Sequence, residues 1–385
     1  MAPAAEVIAA ATSGCGAIIL ITPRIRDGPS ERSGTLAKEV PERIAMKRVI
    51  LWVTGILVVL VAAILLAFRL SPWPSVAIIT YAFSKGDRAS EAALEKYVPS
   101  GIVSRRDIAY GGAKDEVFDL YYPHGASVLP TVVWVHGGGF VAGSKQGIAN
   151  YMKVLAGHGY TMIAVEYSKG YGTRYPKPVE QVNAALGFVL HHAADLKVDP
   201  AMIVLAGDSA GAHISSQVAL ITTDRAYASA LGIEPQLKPH QLSAMLLLSG
   251  AYDPSAVDFK GDYAWFLKTV LWAYAGVGNL QDDERFKLMS VTTHVTRAFP
   301  PTFISSGNAD PLAPQAVALA QQLESLGVHT ETLFFPAGRS PPLPHEYQFN
   351  LDEPAGREAL DRMLAFLNAI RETATTPPSP ARESP

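Results

Sequence analysis

The chain has 385 residues, 49% of them hydrophobic, with a formal net charge of −3 and one cysteine. That is enough apolar material for one large core. No block of basic residues supplies the charge needed to neutralise phosphates, so nucleic acid is excluded as an expected partner.

Residues 1–45 are small, punctuated by Pro and Gly, and without sustained periodicity; they are expected to form a poorly structured extension. "MKRVILWV", from Met46, reads as the start of an exported protein, a short basic region leading into an apolar run, so Met46 stands beside Met1 as a candidate translation start. The run Val49–Phe68 carries neither charge nor Pro. About 20 residues at ~1.5 Å each span a bilayer core of ~30 Å, so residues 46–70 are expected to be a membrane anchor. A cleavable signal peptide is the competing reading, but its apolar region should be nearer ~7 to 15 residues and end in a small-x-small site.

Arg43, Lys47 and Arg48 precede the run and only Arg69 closely follows it. This asymmetry places the N-terminus in the cytoplasm and exports the rest, periplasmic or extracellular, with Trp73 as an interfacial aromatic at the far end. Cys15 falls on the cytoplasmic side, so the exported part can form no disulfide.

Residues 71–100 form a membrane-proximal linker or helix. The stretch 74–99 has an apolar front and a polar, helical second half; it either lies on the membrane surface or packs over the domain. From about residue 101 to 370, strand-like and helix-like segments alternate, the pattern of an α/β body with a mostly parallel sheet covered on both faces. The strands expected are 132–137, 161–167, 202–207, 244–250, 301–307 and 330–335, several of them continuously apolar, with 118–123 as an antiparallel lead-in. Helical patterns cover 179–196 and 314–327, the second ending on a glycine. Residues 254–294, with Trp265, Phe266, Trp272 and Tyr274, read as a cap insertion that either roofs a site or packs onto the body. The Pro-, Ser- and Thr-rich residues 371–385 are expected to be a disordered tail.

In such sheets, chemistry gathers at the carboxyl ends of the strands. The strand ends here lead into His136-Gly137-Gly138-Gly139-Phe140, then Asp208-Ser209, Asp253, Asn308-Ala309-Asp310 and His345. Gly207 and Gly211 leave room for a sharp strand-to-helix turn that projects Ser209 and frees the Ala210 N–H. A serine is a poor nucleophile until a base takes its proton and a carboxylate orients that base. Gly138 and Gly139 offer bare N–H groups to an oxyanion. Of ten histidines, His345 emerges at the right edge and His329 at the wrong one; His191 and His192 are expected at the surface, and His136 in shaping the glycine loop. Asp310 is the orienting carboxylate of choice and Asp253 the runner-up, while Glu346 reads as a solvated loop charge. There is no H-E-x-x-H and no clustered Cys/His set, so neither metal nor cofactor is implied.

"HGGGF" (136–140), "GDSAG" (207–211), "GNADPL" (307–312) and "PHEYQF" (344–349), in that order, resemble the α/β-hydrolase esterases and lipases of the hormone-sensitive-lipase-like group over roughly residues 100–370. The resemblance implies an α/β-hydrolase fold of about eight strands, with Ser209 as nucleophile, His345 as base, Asp310 as orienter, and an oxyanion hole of Gly138, Gly139 and Ala210. Two departures stand out: Tyr167-Ser168 where the family often has Tyr-Arg, and Gln181 where it has Asp. The expected reaction is ester hydrolysis on a small-molecule substrate of short or medium acyl chain. Membrane lipid is second, peptides or amides remain possible, and the other class is a non-catalytic envelope protein using a hydrolase body for binding.

Overall fold

The computed structural model describes residues 36–257, 260–261, 263–278 and 284–375. Cys15, the extension before Leu36 and the stretch after Thr375 lie outside the described residues. Helix α1 (Leu36–Leu70) begins upstream of Met46, inside the stretch expected to lack structure. Its Ile44–Leu70 portion, 27 residues, is long and apolar enough to cross a membrane and buries none of that surface against the rest of the protein. Such a helix fits an anchor or a signal sequence.

Ser71 and Pro72 separate α1 from α2 (Trp73–Leu94). Ser75, Val76, Ile79, Gly86 and Leu94 of α2 are buried, so one face of this helix packs over the domain.

The body is one eight-stranded sheet in the order β1-β2-β4-β3-β5-β6-β7-β8. Its strands are β1 (Ile102–Ala109), β2 (Val117–Pro123), β3 (Leu129–Val135), β4 (Thr161–Val165), β5 (Val198–Asp208), β6 (Leu242–Leu248), β7 (Thr302–Ser306) and β8 (Thr330–Phe334). β1 is antiparallel to β2 and β2 to β4, while β3 through β8 are parallel to one another. The six expected parallel strands and the lead-in at 118–123 are therefore present with ends shifted by a few residues, and β1 is an addition. β1 escapes an apolar reading because Ser104, Arg105, Arg106 and Asp107 run along it, charges that blunt an exposed sheet edge.

Alternation along the strands builds two apolar layers, because successive side chains point to opposite faces. Val133, Val135, Ile163, Ile203, Leu205, Met245, Leu247 and Ile304 face one side with α4 (Lys177–His191), α5 (Ala210–Thr223) and α10 (Ala313–Ser325). Val132, Trp134, Met162, Val204, Leu246, Leu248 and Phe303 face the other with α3 (Ala149–Ala156) and α11 (Pro354–Thr375). α11 runs to Thr375, which carries helix into the region expected to be a tail. Between β5 and β6 lies α6 (Arg225–Leu231), and among the described residues after β6 come the helices α7 (Ala264–Ala275), α8 (Glu284–Leu288) and α9 (Val291–His294).

The chain leaves β3 for β4 on one side, then crosses to β5 on the other. Neighbouring strands whose connections diverge open a crevice at their carboxyl ends. There Val135 pairs with Gly207, placing the glycine loop beside Ser209.

Candidate active site

β5 ends at Asp208 and α5 begins at Ala210, so Ser209 alone makes the turn, at φ 50° and ψ −119°. A non-glycine residue adopts that backbone only when its surroundings impose it. A Cβ on Gly207 would stand 2.5 Å from the carbonyl carbon of Gly211, and one on Gly211 would run into the carbonyl oxygen of Val135. Both positions must therefore be glycine for helix and strands to approach this closely. The Ser209 N–H donates to the Leu248 carbonyl at 2.8 Å, tying the turn to the next strand.

His345 Nε2 lies 3.0 Å from Ser209 Oγ, and its Nδ1 lies 2.9 Å from Asp310 Oδ1. The Asp310 carboxylate is held in place: Oδ1 accepts from the Leu312 N–H at 2.8 Å and Oδ2 from Ser306 Oγ at 2.9 Å. Burial acts to raise the Asp310 pKa, but the positive partner His345 and these hydrogen bonds outweigh it, and the carboxyl stays below its usual range. For His345, burial acts downward, while Asp310, then Glu346 and Asp208, push the imidazole up to about 9.

Gly138 and Gly139 sit at φ 114° and 60°, and a Cβ on Gly138 would strike the Ala142 carbonyl. Among the described residues, the N–H groups of Gly138, Gly139 and Ala210 donate to no protein acceptor. Asp208 fastens the start of this loop: its Oδ2 accepts from the Gly137 N–H at 2.8 Å, and its Oδ1 from Trp134 Nε1 at 2.7 Å. His136 stacks on Tyr167 with centroids 4.5 Å apart and places Nε2 3.1 Å from Glu166 Oε1, which is the loop-shaping position expected of it.

The other candidates fall elsewhere. Asp253 accepts from Ser290 Oγ at 2.6 Å, and the carboxylate on His345 Nδ1 is that of Asp310. His329 is exposed, beside Glu331 at the opposite end of the sheet. The expectation for Glu346 is corrected: it is 5% exposed, at φ 57°, with its N–H donating to Ser249 Oγ at 3.1 Å and its Oε1 3.6 Å from His345 Nε2. The turn that presents His345 also folds Glu346 inward, toward Asp208 and Gly137. A small cavity of about 30 Å³, room for little more than water, lies among Phe83, Asp87, Gly138, Asp208 and Glu346. Burial, with Asp208 adding to it, raises the Asp87 carboxyl to about 6.

Phe83 and Asp87 come from α2, a contribution that no motif announces. Phe83 stacks on Phe266 with centroids 6.0 Å apart, and a Cβ on Gly139 would lie 3.1 Å from the Phe266 ring. Tyr274 stacks under the loop on Phe140 at 4.0 Å. Of the aromatics in residues 254–294, Phe266 thus lies over the loop and Tyr274 packs against the body. The two departures from the family pattern prove to be neighbours. The Ser168 N–H donates to Gln181 Oε1 at 2.8 Å and Gln181 Nε2 to Ser168 Oγ at 2.9 Å, a neutral pair.

Residues 118–323, more than half of the chain, match the family described as BD-FAE. The chain is 30% identical over 213 residues to an acetyl esterase of Salmonella choleraesuis, covering 54% of this chain and 62% of that one. It is 29% identical over 210 residues to an esterase of Gibberella moniliformis, covering 53% and 64%. The chain thus spans a little under two thirds of the length of these two relatives. Carboxylesterase NlhH of Mycobacterium tuberculosis is 27% identical over 305 residues, covering 75% and 91%. Among solved structures, Esterase B of Lactobacillus Rhamnosis superposes with a TM-score of 0.67 at 22% identity, covering 77% of this chain and 95% of that one, a likeness of fold. The chain belongs to the BD-FAE family, within the hormone-sensitive-lipase-like α/β-hydrolases that its four motifs resemble.

Proposed function

We propose that the chain is a serine carboxylic-ester hydrolase acting through Ser209, His345 and Asp310. The observation that carries this reading is the continuous path from Asp310 through His345 to Ser209, beside the N–H groups of Gly138, Gly139 and Ala210.

In this mechanism His345 Nε2 takes the Ser209 proton as Oγ bonds to the ester carbonyl carbon. The three N–H groups hold the oxygen that becomes negative, an arrangement worth about 2.7–4 kcal/mol per donor. The tetrahedral adduct collapses, the alkoxide leaves with the proton from His345, and an acyl-Ser209 remains. Water then enters, gives its proton to His345 and attacks the acyl carbon; collapse frees the acid and returns the proton to Ser209. Asp310 holds the ring in the tautomer that presents a bare Nε2 and stabilises the imidazolium.

Short- or medium-chain esters are the proposed substrates. Phe266 over Gly139 supports a confined acyl site, and the relative named an acetyl esterase points the same way. The apolar helix is proposed to be an uncleaved anchor with its N-terminus cytoplasmic and the hydrolase body exported, which the cluster of Arg43, Lys47 and Arg48 before it supports.

The test is hydrolysis of p-nitrophenyl esters of graded acyl length by the full chain in detergent, beside Ser209→Ala. Activity that falls about 10⁴-fold in the variant supports the triad. Equal activity in the two proteins overturns it.

A further inference from the structure

The outer face of α2 carries a pattern that packing onto the body does not explain. Ile78 and Tyr81 are 54% and 75% exposed, and Lys85 and Arg88 follow them on the same exposed side. Their spacing of three, four and three residues puts all four on one stripe of a helix that advances about 100° per residue. Single exposed apolar residues are ordinary. Two large ones ahead of two cations on one face match a helix lying in a membrane interface, with its cations reaching lipid phosphates.

The location agrees with that chemistry. Only Ser71 and Pro72 join α2 to the end of the apolar helix, and hydrogen bonds run to both sides of the joint: Ser71 N–H to Ala67 O at 3.1 Å and Val76 N–H to Pro72 O at 2.9 Å. Tyr171, 85% exposed, meets Trp73, the first residue of α2, edge to face at 5.1 Å. An aromatic pair at the end of an apolar span is suited to the headgroup level. The same helix supplies Phe83, which stacks on the Phe266 that overlies Gly139.

We propose that the outer stripe of α2, with Tyr171, rests on an anionic lipid bilayer and holds the mouth of the Ser209 site at its surface, so that the esters taken are ones dissolved in the membrane. This rests on the serine-hydrolase reading for its chemistry and on α1 for its tether. The bilayer is the occupant because the tether keeps this face within reach of lipid and because Lys85 and Arg88 complement anionic headgroups.

The test uses the full chain with Cys15→Ser and one added cysteine, Ile78→Cys, Tyr81→Cys or, as reference, Val128→Cys. Val128 is exposed just before β3, at the opposite edge of the sheet from Ser209. Each variant is labelled with an environment-sensitive fluorophore and reconstituted into phosphatidylcholine vesicles with and without phosphatidylglycerol. Labels at 78 and 81 should shift to the blue and be quenched by nitroxide-bearing lipid, more so with phosphatidylglycerol, while the label at 128 reports water. In parallel, the combined variant Ile78→Ser, Tyr81→Ser, Lys85→Glu, Arg88→Glu should keep its turnover of p-nitrophenyl acetate and lose roughly tenfold on an ester dissolved in the vesicle. Water-exposed labels at 78 and 81, or equal losses on both substrates, overturn the docking. If the parent chain hydrolyses neither ester while the labels still report lipid, the serine-hydrolase reading fails and the membrane contact stands.

Discussion

Glu346 Oε1 lies 3.6 Å from His345 Nε2, the ring nitrogen that is itself 3.0 Å from Ser209 Oγ. A second carboxylate beside the proposed base opposes its deprotonation. Burial pulls the His345 pKa down, and Asp310, Glu346 and Asp208 together carry it up to about 9. The base must be neutral to act, so kcat/KM should rise with pH through an alkaline midpoint near 9. Glu346→Gln removes one of the charges that favour the imidazolium, and its midpoint should fall below the parent's. A pH profile of kcat/KM for both proteins measures this, and coincident profiles would show that Glu346 does not act on the base. For stability the sign is the opposite one: a pKa raised on folding stabilises fully below the unfolded value of about 6.5 and is lost as pH rises through about 9.

Asp310 is distinguished from the runner-up Asp253 by what each carboxylate touches. Asp310→Asn preserves shape but offers His345 Nδ1 a poorer partner and permits the wrong tautomer, so kcat should fall about 10⁴-fold. Asp253 accepts from Ser290 instead, and Asp253→Asn should leave kcat near the parent's. Comparable losses in the two variants would mean that the orienting carboxylate has been misassigned.

The parts of this site that were legible in the sequence are those dictated by strand order. A parallel sheet sends alternate loops to one edge, so the segments after β3, β5, β7 and β8 had to meet, and His329 had to lie away from them. Three kinds of information were not legible. Burial of Glu346 depends on a positive-φ turn and on Ser249 from a distant loop, neither of which leaves a mark beside "PHEYQF". Phe83 and Asp87 enter the site because α2 folds back over the sheet, a tertiary placement that its amphipathic pattern permits without specifying. β1 was hidden for a third reason, since a charged edge strand carries no apolar alternation.

Gly211 tests how far the Ser209 turn depends on close backbone approach. A methyl group there meets the Val135 carbonyl oxygen, which is backbone and cannot rotate aside. Gly211→Ala should cost about 1–3 kcal/mol of stability as α5 is displaced from β3. Displacement of the nucleophile by about 1 Å should lower kcat/KM roughly 100-fold. Thermal unfolding and esterase kinetics on the same preparation check both effects. An unchanged kcat/KM would mean that the turn accommodates the methyl without moving Ser209.

Lys145 links the antiparallel edge of the sheet to the glycine loop. It is 1% exposed, and its Nζ donates to Asp119 Oδ1 at 2.5 Å and Asp107 Oδ1 at 2.7 Å. Its N–H donates to Glu166 Oε2 at 3.2 Å, the carboxylate whose other oxygen meets His136. Asp119 is as buried as its partner and keeps the Asp107 N–H and Tyr121 hydroxyl as donors when the cation is removed. Lys145→Met therefore leaves a buried carboxylate without its counter-charge, which should cost about 3–5 kcal/mol. Replacing both partners, Lys145→Met with Asp119→Asn, removes the stranded charge and should recover part of that loss. Denaturant midpoints of the three proteins in one detergent measure the difference. If the double variant is as unstable as the single one, the loss comes from packing around the lysine stem rather than from the unpaired carboxylate.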